Sequence, residues 1–184
     1  MAIAYGIAFF LICVLSFLLL LWAAPRRYQV KVTRTVPVPP ERVWPYISDP
    51  ERFPHWFPYV ASCEHIGGPP RGVGQKRRVR VDRNGALGER EEEAVTWEEN
   101  RRIDLARGDE KLRGRLVGWR DARAEFRLAP VAEGTAVTGV LWFYGRGLLG
   151  GVFSLLFFRK RNEKDFKLAL EYLERRLREE SYPP

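Results

Sequence analysis

Hydrophobic and polar positions divide the chain into three stretches of different period. Ala2 to Ala24 carries no charged residue, and only Gly6 and Ser16 depart from its apolar character. From Tyr28 to Val38 the pattern alternates, with Val30, Val32 and Val36 set against Lys31, Thr33 and Arg34, which predicts a strand with one wet face. Val36 to Val60 then reads V-P-V-P-P-E-R-V-W-P-Y-I-S-D-P-E-R-F-P-H-W-F-P-Y-V, with prolines at its joints. Pro39 and Pro40 can open a helix, because a fixed φ and a missing N–H cost nothing at the first helical position. Val43 and Ile47 share a face at i, i+4 with Tyr46 beside them, and Pro45 should bend or shorten that helix. Asp49-Pro50 breaks the chain, and a second short turn carries Phe53, Trp56 and Phe57 before Pro58 ends it.

The next stretch predicts strands in succession. Tyr59 to Ile66 is one, closed by Gly67-Gly68-Pro69-Pro70, and Val73 to Arg83 is another. Asn84-Gly85 is a strong two-residue hairpin signal. It sets a register in which Arg83 faces Ala86, Arg80 faces Glu89, Arg78 faces Glu91, Arg77 faces Glu92 and Lys76 faces Glu93. Opposite charges fall opposite one another, each pair contributing a few tenths of a kcal/mol. Most of this block reads as a solvated hairpin; the sharper reading has Arg77, Arg90 and Glu92, on the face of Val79, lining a pocket. Further strands are expected at Val95–Trp97, Ile103–Arg107, Leu112–Leu128 with a bend near Gly118, and Thr135–Tyr144. In Asp165–Leu177, Phe166, Ala169, Leu170, Leu173 and Leu177 form one apolar helical stripe. The fold class expected is α+β, an amphipathic helix laid across a seven-stranded antiparallel sheet.

The segment P-P-E-R-V-W-x-x-I-S-D-P-x-x-x-x-x-W-x-P-x-V, followed by this order of elements, resembles the START-related, polyketide cyclase-like (SRPBCC) superfamily over roughly Arg27 to Glu180. The resemblance implies the helix-grip fold: strand, two short helices, six strands of a curved sheet, and a long C-terminal helix. It also implies a space between that helix and the sheet, which in relatives holds lipids, sterols or polyketides.

The N-terminal run has the length of a transmembrane helix, which needs about 20 apolar residues. Tyr5 and Trp22 lie near its ends, where amphipathic rings favour the interface. A cleaved signal peptide fits less well, because no Lys or Arg precedes the run and Pro25 follows the only Ala-Ala pair. Residues 1–25 are therefore expected to anchor a domain of residues 26–184. Arg26, Arg27 and Lys31 follow the span and none precedes it, so the positive-inside rule places the domain on the cytoplasmic side of a cell membrane crossed once. Those bases could lean on anionic head groups.

Composition narrows the chemistry. The 184 residues suffice for one domain with a real core, and an aromatic share of 13% suits a large apolar interior. The net charge of +8 favours an anionic partner. Nucleic acid is not expected, because the bases are scattered among acids and no recognition element appears. Cys13 and Cys63 give no disulfide framework. Gly145 to Gly150 matches G-x-G-x-x-G, yet no second parallel strand follows to complete a dinucleotide site, so no cofactor is expected and the glycines read as a turn. Cys63 and His65 share a strand face, but two ligands do not make a metal site. His55 is a weak catalytic candidate that would need an orienting acid. Leu148 to Phe158 is apolar all round and too short to span; it reads as a buried helix start or as a cavity wall touching the membrane, with Arg159, Lys160 and Arg161 at head-group level.

The function expected first is a membrane-anchored domain that binds a hydrophobic small molecule such as a lipid or isoprenoid, with Trp56, Trp119, Trp142, Phe153 and Phe157 as pocket walls. An enzyme resembling polyketide cyclases and aromatases is the alternative, with His55 or an inward Arg or Glu handling protons. A third reading is an interaction module whose cavity is filled by its own side chains.

Overall fold

The alternation that begins at Arg27 is realised as strand β1, Arg27–Val36, whose buried positions are Tyr28, Val30 and Val36. The computed structural model describes residues 2–23, 27–112, 115–116, 119–145 and 158–181, with side chains at 5–19, 27–111, 121–145 and 158–181. After β1, Pro40 opens helix α2 (Pro40–Ser48), which tolerates Pro45 inside it and buries Val43, Tyr46 and Ile47. Asp49 caps the following 3-10 helix, Pro50–His55, by accepting a hydrogen bond from the Glu51 N–H. These two short helices carry the chain from one edge of the sheet to the other.

The strands that follow are β2 (Val60–Gly67), β3 (Lys76–Arg83), β4 (Ala86–Glu98), β5 (Arg102–Arg107), the two-residue β6 (Lys111–Leu112) and β7 (Arg115–Leu116), β8 (Trp119–Val131) and β9 (Gly134–Gly145). Their order in the main sheet is β1-β9-β8-β5-β4-β3-β2, with β6 beside β4 and β7 beside β6, and every pair is antiparallel. The seven strands expected thus form the main path. The single strand expected over Leu112–Leu128 is instead three pieces, the first two forming a small flap off β4. The hairpin register is the one the turn implied, from Arg83 opposite Ala86 to Lys76 opposite Glu93. Asn84 and Gly85 both take positive φ, 54° and 79°, as a two-residue turn of this hand requires.

The last helix, α3 (Arg159–Ser181), starts earlier than the periodicity alone marks and buries Phe166, Ala169, Leu170, Leu173 and Leu177 against the sheet. Its seat is a glycine in β9: a Cβ at Gly139 would stand 2.7 Å from Cδ1 of Phe166, so the ring packs where no side chain exists. Phe166 stacks on Phe126 at 6.0 Å and meets Phe57 edge-on at 5.5 Å, joining α3, the sheet and the short helices in one core.

Helix α1 covers Ala2–Ala23, and its described side chains from Tyr5 to Leu19 are exposed. The expected spanning helix is not borne out here: among the described residues, no helix is long and apolar enough to cross a membrane. Arg26 lies outside the described residues.

Candidate functional site

Strand pleat decides which side chains face α3. Arg77 opposes Glu92, and Glu92 opposes Arg107 on its other side, while Arg90 opposes Val79; all stand on the inward face. The result is a charged cluster inside the grip. Arg77 donates from Nε to Glu92 Oε2 at 2.8 Å, and its guanidinium lies 4.5 Å over the Phe53 ring. Arg90 donates from Nε to Glu92 Oε1 at 2.7 Å and from Nη1 to Glu110 Oε2 at 3.4 Å. Arg107 Nε stands 2.9 Å from Glu92 Oε1 but off the line of a hydrogen bond, and its Nη2 has no partner among the described residues. Arg77 and Glu92 have side chains 0% exposed, and Arg107 9%.

Burial alone would raise the Glu92 carboxyl, but Arg107, Arg77 and Arg90 outweigh it and hold the group well below the usual carboxylate range. Burial also pushes the Arg107 guanidinium down to about 10, only partly opposed by Glu92, so it stays charged at neutral pH. The neighbouring Cys63 thiol is pushed up to about 11, chiefly by burial. It is therefore protonated and unreactive at neutral pH.

A cavity lies between this cluster and α3. Phe57, Val60, Val81, Leu141, Phe143 and Phe166 form its apolar wall, and Arg83, Arg90, Arg107, Glu110 and Asp165 its polar one. Arg83 is engaged with Asp165 at 2.8 Å. The enclosed space is about 20 Å³, room for a water molecule or one small group.

The structure brings together Arg77, Arg90 and Glu92, but of the three only Arg90 lines the cavity. Of the expected aromatic walls, the two whose side chains are described, Trp56 and Trp142, do not line the cavity. Trp56 is 1% exposed, donates from its indole N–H to the Tyr46 carbonyl at 2.7 Å, and packs edge-on against Phe126 as core. Trp142 is half-buried, next along β9 from the inward Leu141 and Phe143, under the guanidinium of Arg27. The side chain of Trp119, and Phe153 and Phe157 altogether, lie outside the described residues. His55 is exposed in a surface groove with Tyr172, Arg175 and Glu179 and does not line the cavity. Arg27, Arg159, Lys160 and Arg161 are exposed. Cys63 is buried while His65 is exposed, its Nε2 3.2 Å from the Pro69 carbonyl, and no metal-holding group occurs among the described residues. Of the G-x-G-x-x-G run only Gly145, the end of β9, is described.

Arg107 and Glu110 were not among the expected site residues. A signal for Arg107 was present, since Ile103, Leu105 and Arg107 recur at period two and the first two are core. An arginine continuing a buried face needs an acid, and Glu92 supplies it.

Solved structures share the fold. The protein TTHA0849 from Thermus thermophilus superposes with a TM-score of 0.68 at 22% identity, over 84% of this chain and 100% of that one. The Zhui aromatase/cyclase from Streptomyces sp. R1128 superposes at 0.64 and 16% identity, over 85% and 97%. An uncharacterised protein from Rhizobium leguminosarum does so at 0.63 and 18%, over 83% and 95%. No curated protein matches the chain. The sequence profile described as polyketide cyclase / dehydrase and lipid transport matches residues 27–178, from the first strand of the grip to the last turn of α3, and the chain belongs to that family.

Proposed function

We propose that the domain binds a hydrophobic small molecule, a lipid or isoprenoid, between the sheet and α3, and that α1 holds it at a membrane. The observation that carries the reading is the cavity under α3, with an apolar wall on one side and a few fixed polar groups on the other, the usual makeup of a small-molecule site. Family membership supports it. The closed cavity is far smaller than the ~300–1,000 Å³ such sites enclose. Uptake of a larger molecule therefore requires the cavity to widen. The anchor is supported by the exposure of α1: Phe9, Phe10 and Leu15 are each at least 66% exposed on a helix of 22 residues, and a bilayer would cover them. Its orientation, with the grip domain on the cytoplasmic side, follows from the basic flank at Arg26, Arg27 and Lys31. Arg159, Lys160 and Arg161 would then face head groups.

One observation favours a second reading. A cavity of about 20 Å³ is also what an interaction module filled by its own side chains would show. A cyclase-like reaction at His55 has less support, because that ring lies on the surface outside the cavity.

Native mass spectrometry of residues 26–184, purified without detergent, separates the two. A stoichiometric co-purified lipid or isoprenoid is the expected result. A clean apo mass that persists after incubation with membrane lipids would favour the interaction module.

A further inference from the structure

Among the described residues of the charged cluster the charges do not balance. Arg77, Arg90 and Arg107 bring three positive charges, and Glu92 and Glu110 bring two negative ones, so one positive charge remains. The other ion pair on the cavity wall, Arg83 with Asp165, neutralises itself. The excess is located by hydrogen bonding. Both oxygens of Glu92 are taken by Arg77 and Arg90, leaving Arg107 with a close contact but no aligned bond. Arg107 lines the cavity, and its Nη2 is buried without a hydrogen-bond partner among the described residues; Nη2 of Arg77 lacks one too, but Arg77 does not line the cavity. A buried guanidinium N–H left unpaired is costly, and native proteins seldom keep one without a use.

We propose that the cavity under α3 is an anion site in which Arg107 binds the carboxylate of the ligand, so that the molecule taken up is an acid. The enclosed space of about 20 Å³ holds about one water molecule, so the carboxylate too requires the cavity to widen. An apolar tail would run along Val81, Leu141, Phe143 and Phe166, and this part rests on the ligand-binding reading above. The carboxylate could belong to a fatty-acid-like chain or to a small free acid. Both supply two acceptor oxygens to a planar guanidinium, the pairing arginine makes best.

The test is calorimetric titration of the full chain in phosphatidylcholine nanodiscs, corrected for empty nanodiscs, with octanoate, octanol and acetate. Octanoate is expected to bind about 10-fold or more tightly than octanol, the difference that one charge-assisted hydrogen bond makes. Arg107→Gln should erase that preference. Glu110→Gln, which adds to the positive excess, should tighten octanoate, and it tests the charge argument even if the first variant fails to fold. Acetate binding as tightly as octanoate, and lost in Arg107→Gln, would keep the anion site and overturn the hydrophobic-ligand reading. Equal binding of octanoate and octanol, unmoved by either variant, would overturn the anion site and keep the apolar one. No binding of any of the three would overturn both.

Discussion

Glu92 is the residue on which the interior charges depend. Three guanidinium groups converge within 2.9 Å on its two oxygens, and its own side chain has no exposed surface. Removing one member of a buried ionic group leaves its partners uncompensated, at a cost of about 3–5 kcal/mol. Glu92→Gln is accordingly expected to lose that much stability in urea denaturation. The pH dependence has a definite sign. A carboxyl depressed in the folded state stabilises above its unfolded value, near 4.3, and that contribution fades as pH falls toward the folded value. Wild type should therefore lose stability steadily below about pH 4, and Glu92→Gln should show a shallower acid limb. Arg107 behaves oppositely. Its guanidinium is depressed by burial, so the folded state is penalised for keeping it charged at neutral pH. Arg107→Met is expected to match or exceed the wild-type melting temperature, whereas Arg77→Met, which breaks the aligned Nε bond to Glu92, should lower it. A drop in both variants would show that Arg107 serves stability alone. The cluster was half legible in the chain: hairpin counting placed Arg77, Arg90 and Glu92 on one face. Glu110 lies beyond the end of β5, where no periodicity speaks for it.

Among the elements, α3 and the sheet are fitted through one missing side chain. Phe166 fills the space over Gly139, between Phe126 and Phe57. Gly139→Ala would force the ring off its stack. Overpacking of this kind costs about 1–3 kcal/mol, to be read as a lowered melting temperature, and Phe166→Leu in the same chain should restore part of it. The helix stripe of Phe166, Ala169, Leu170, Leu173 and Leu177 was legible because one face of a helix recurs at a fixed period. The tryptophans were not. Trp56 and Trp142 are large aromatics in amphipathic surroundings, and nothing local distinguishes a core ring from a cavity wall or a convex-face ring. Glu125 was equally hidden: it alternates as an outward residue, yet it is fully buried between Arg102 and Arg127, opposite Asp104. Two acids facing each other would repel, and the two arginines hold them together.

For the whole molecule, the grip and α1 are different kinds of structure. The grip buries its apolar residues in one core, while the described apolar side chains of α1 stay outside it. Full-length chain mixed with liposomes is expected to float with them, and a chain lacking residues 1–25 to remain largely in solution. Flotation of both to the same extent would shift membrane contact from α1 to the basic residues of the grip. Raised salt would separate these cases, because head-group attraction is screened and helix insertion is not. Beside the net charge of +8, the surface carries exposed ion pairs such as Arg78 with Glu91 and Arg80 with Glu64. Pairs of that kind are worth little individually, so the same rise in salt should leave the melting temperature nearly unchanged.

By itself the sequence determined whatever depends on local period and turn chemistry. That includes the strands, the Asn84-Gly85 register, the proline-jointed short helices and the buried stripe of the last helix. The tertiary structure alone decided what lies across from what over longer separations. β1 closes the sheet on β9, a pairing that brings Thr33 within 3.0 Å of Thr138 from the far end of the domain. β4 and β5 shift register between Ala94 and Thr96. Counted from Glu98 opposite Arg102 without that extra residue, Arg107 would fall opposite Glu93, which faces outward. The bulge at Val95 places it opposite Glu92 instead. A one-residue irregularity has no signature in composition or period, yet it brings the third arginine to Glu92 and leaves that cluster with an unmatched positive charge.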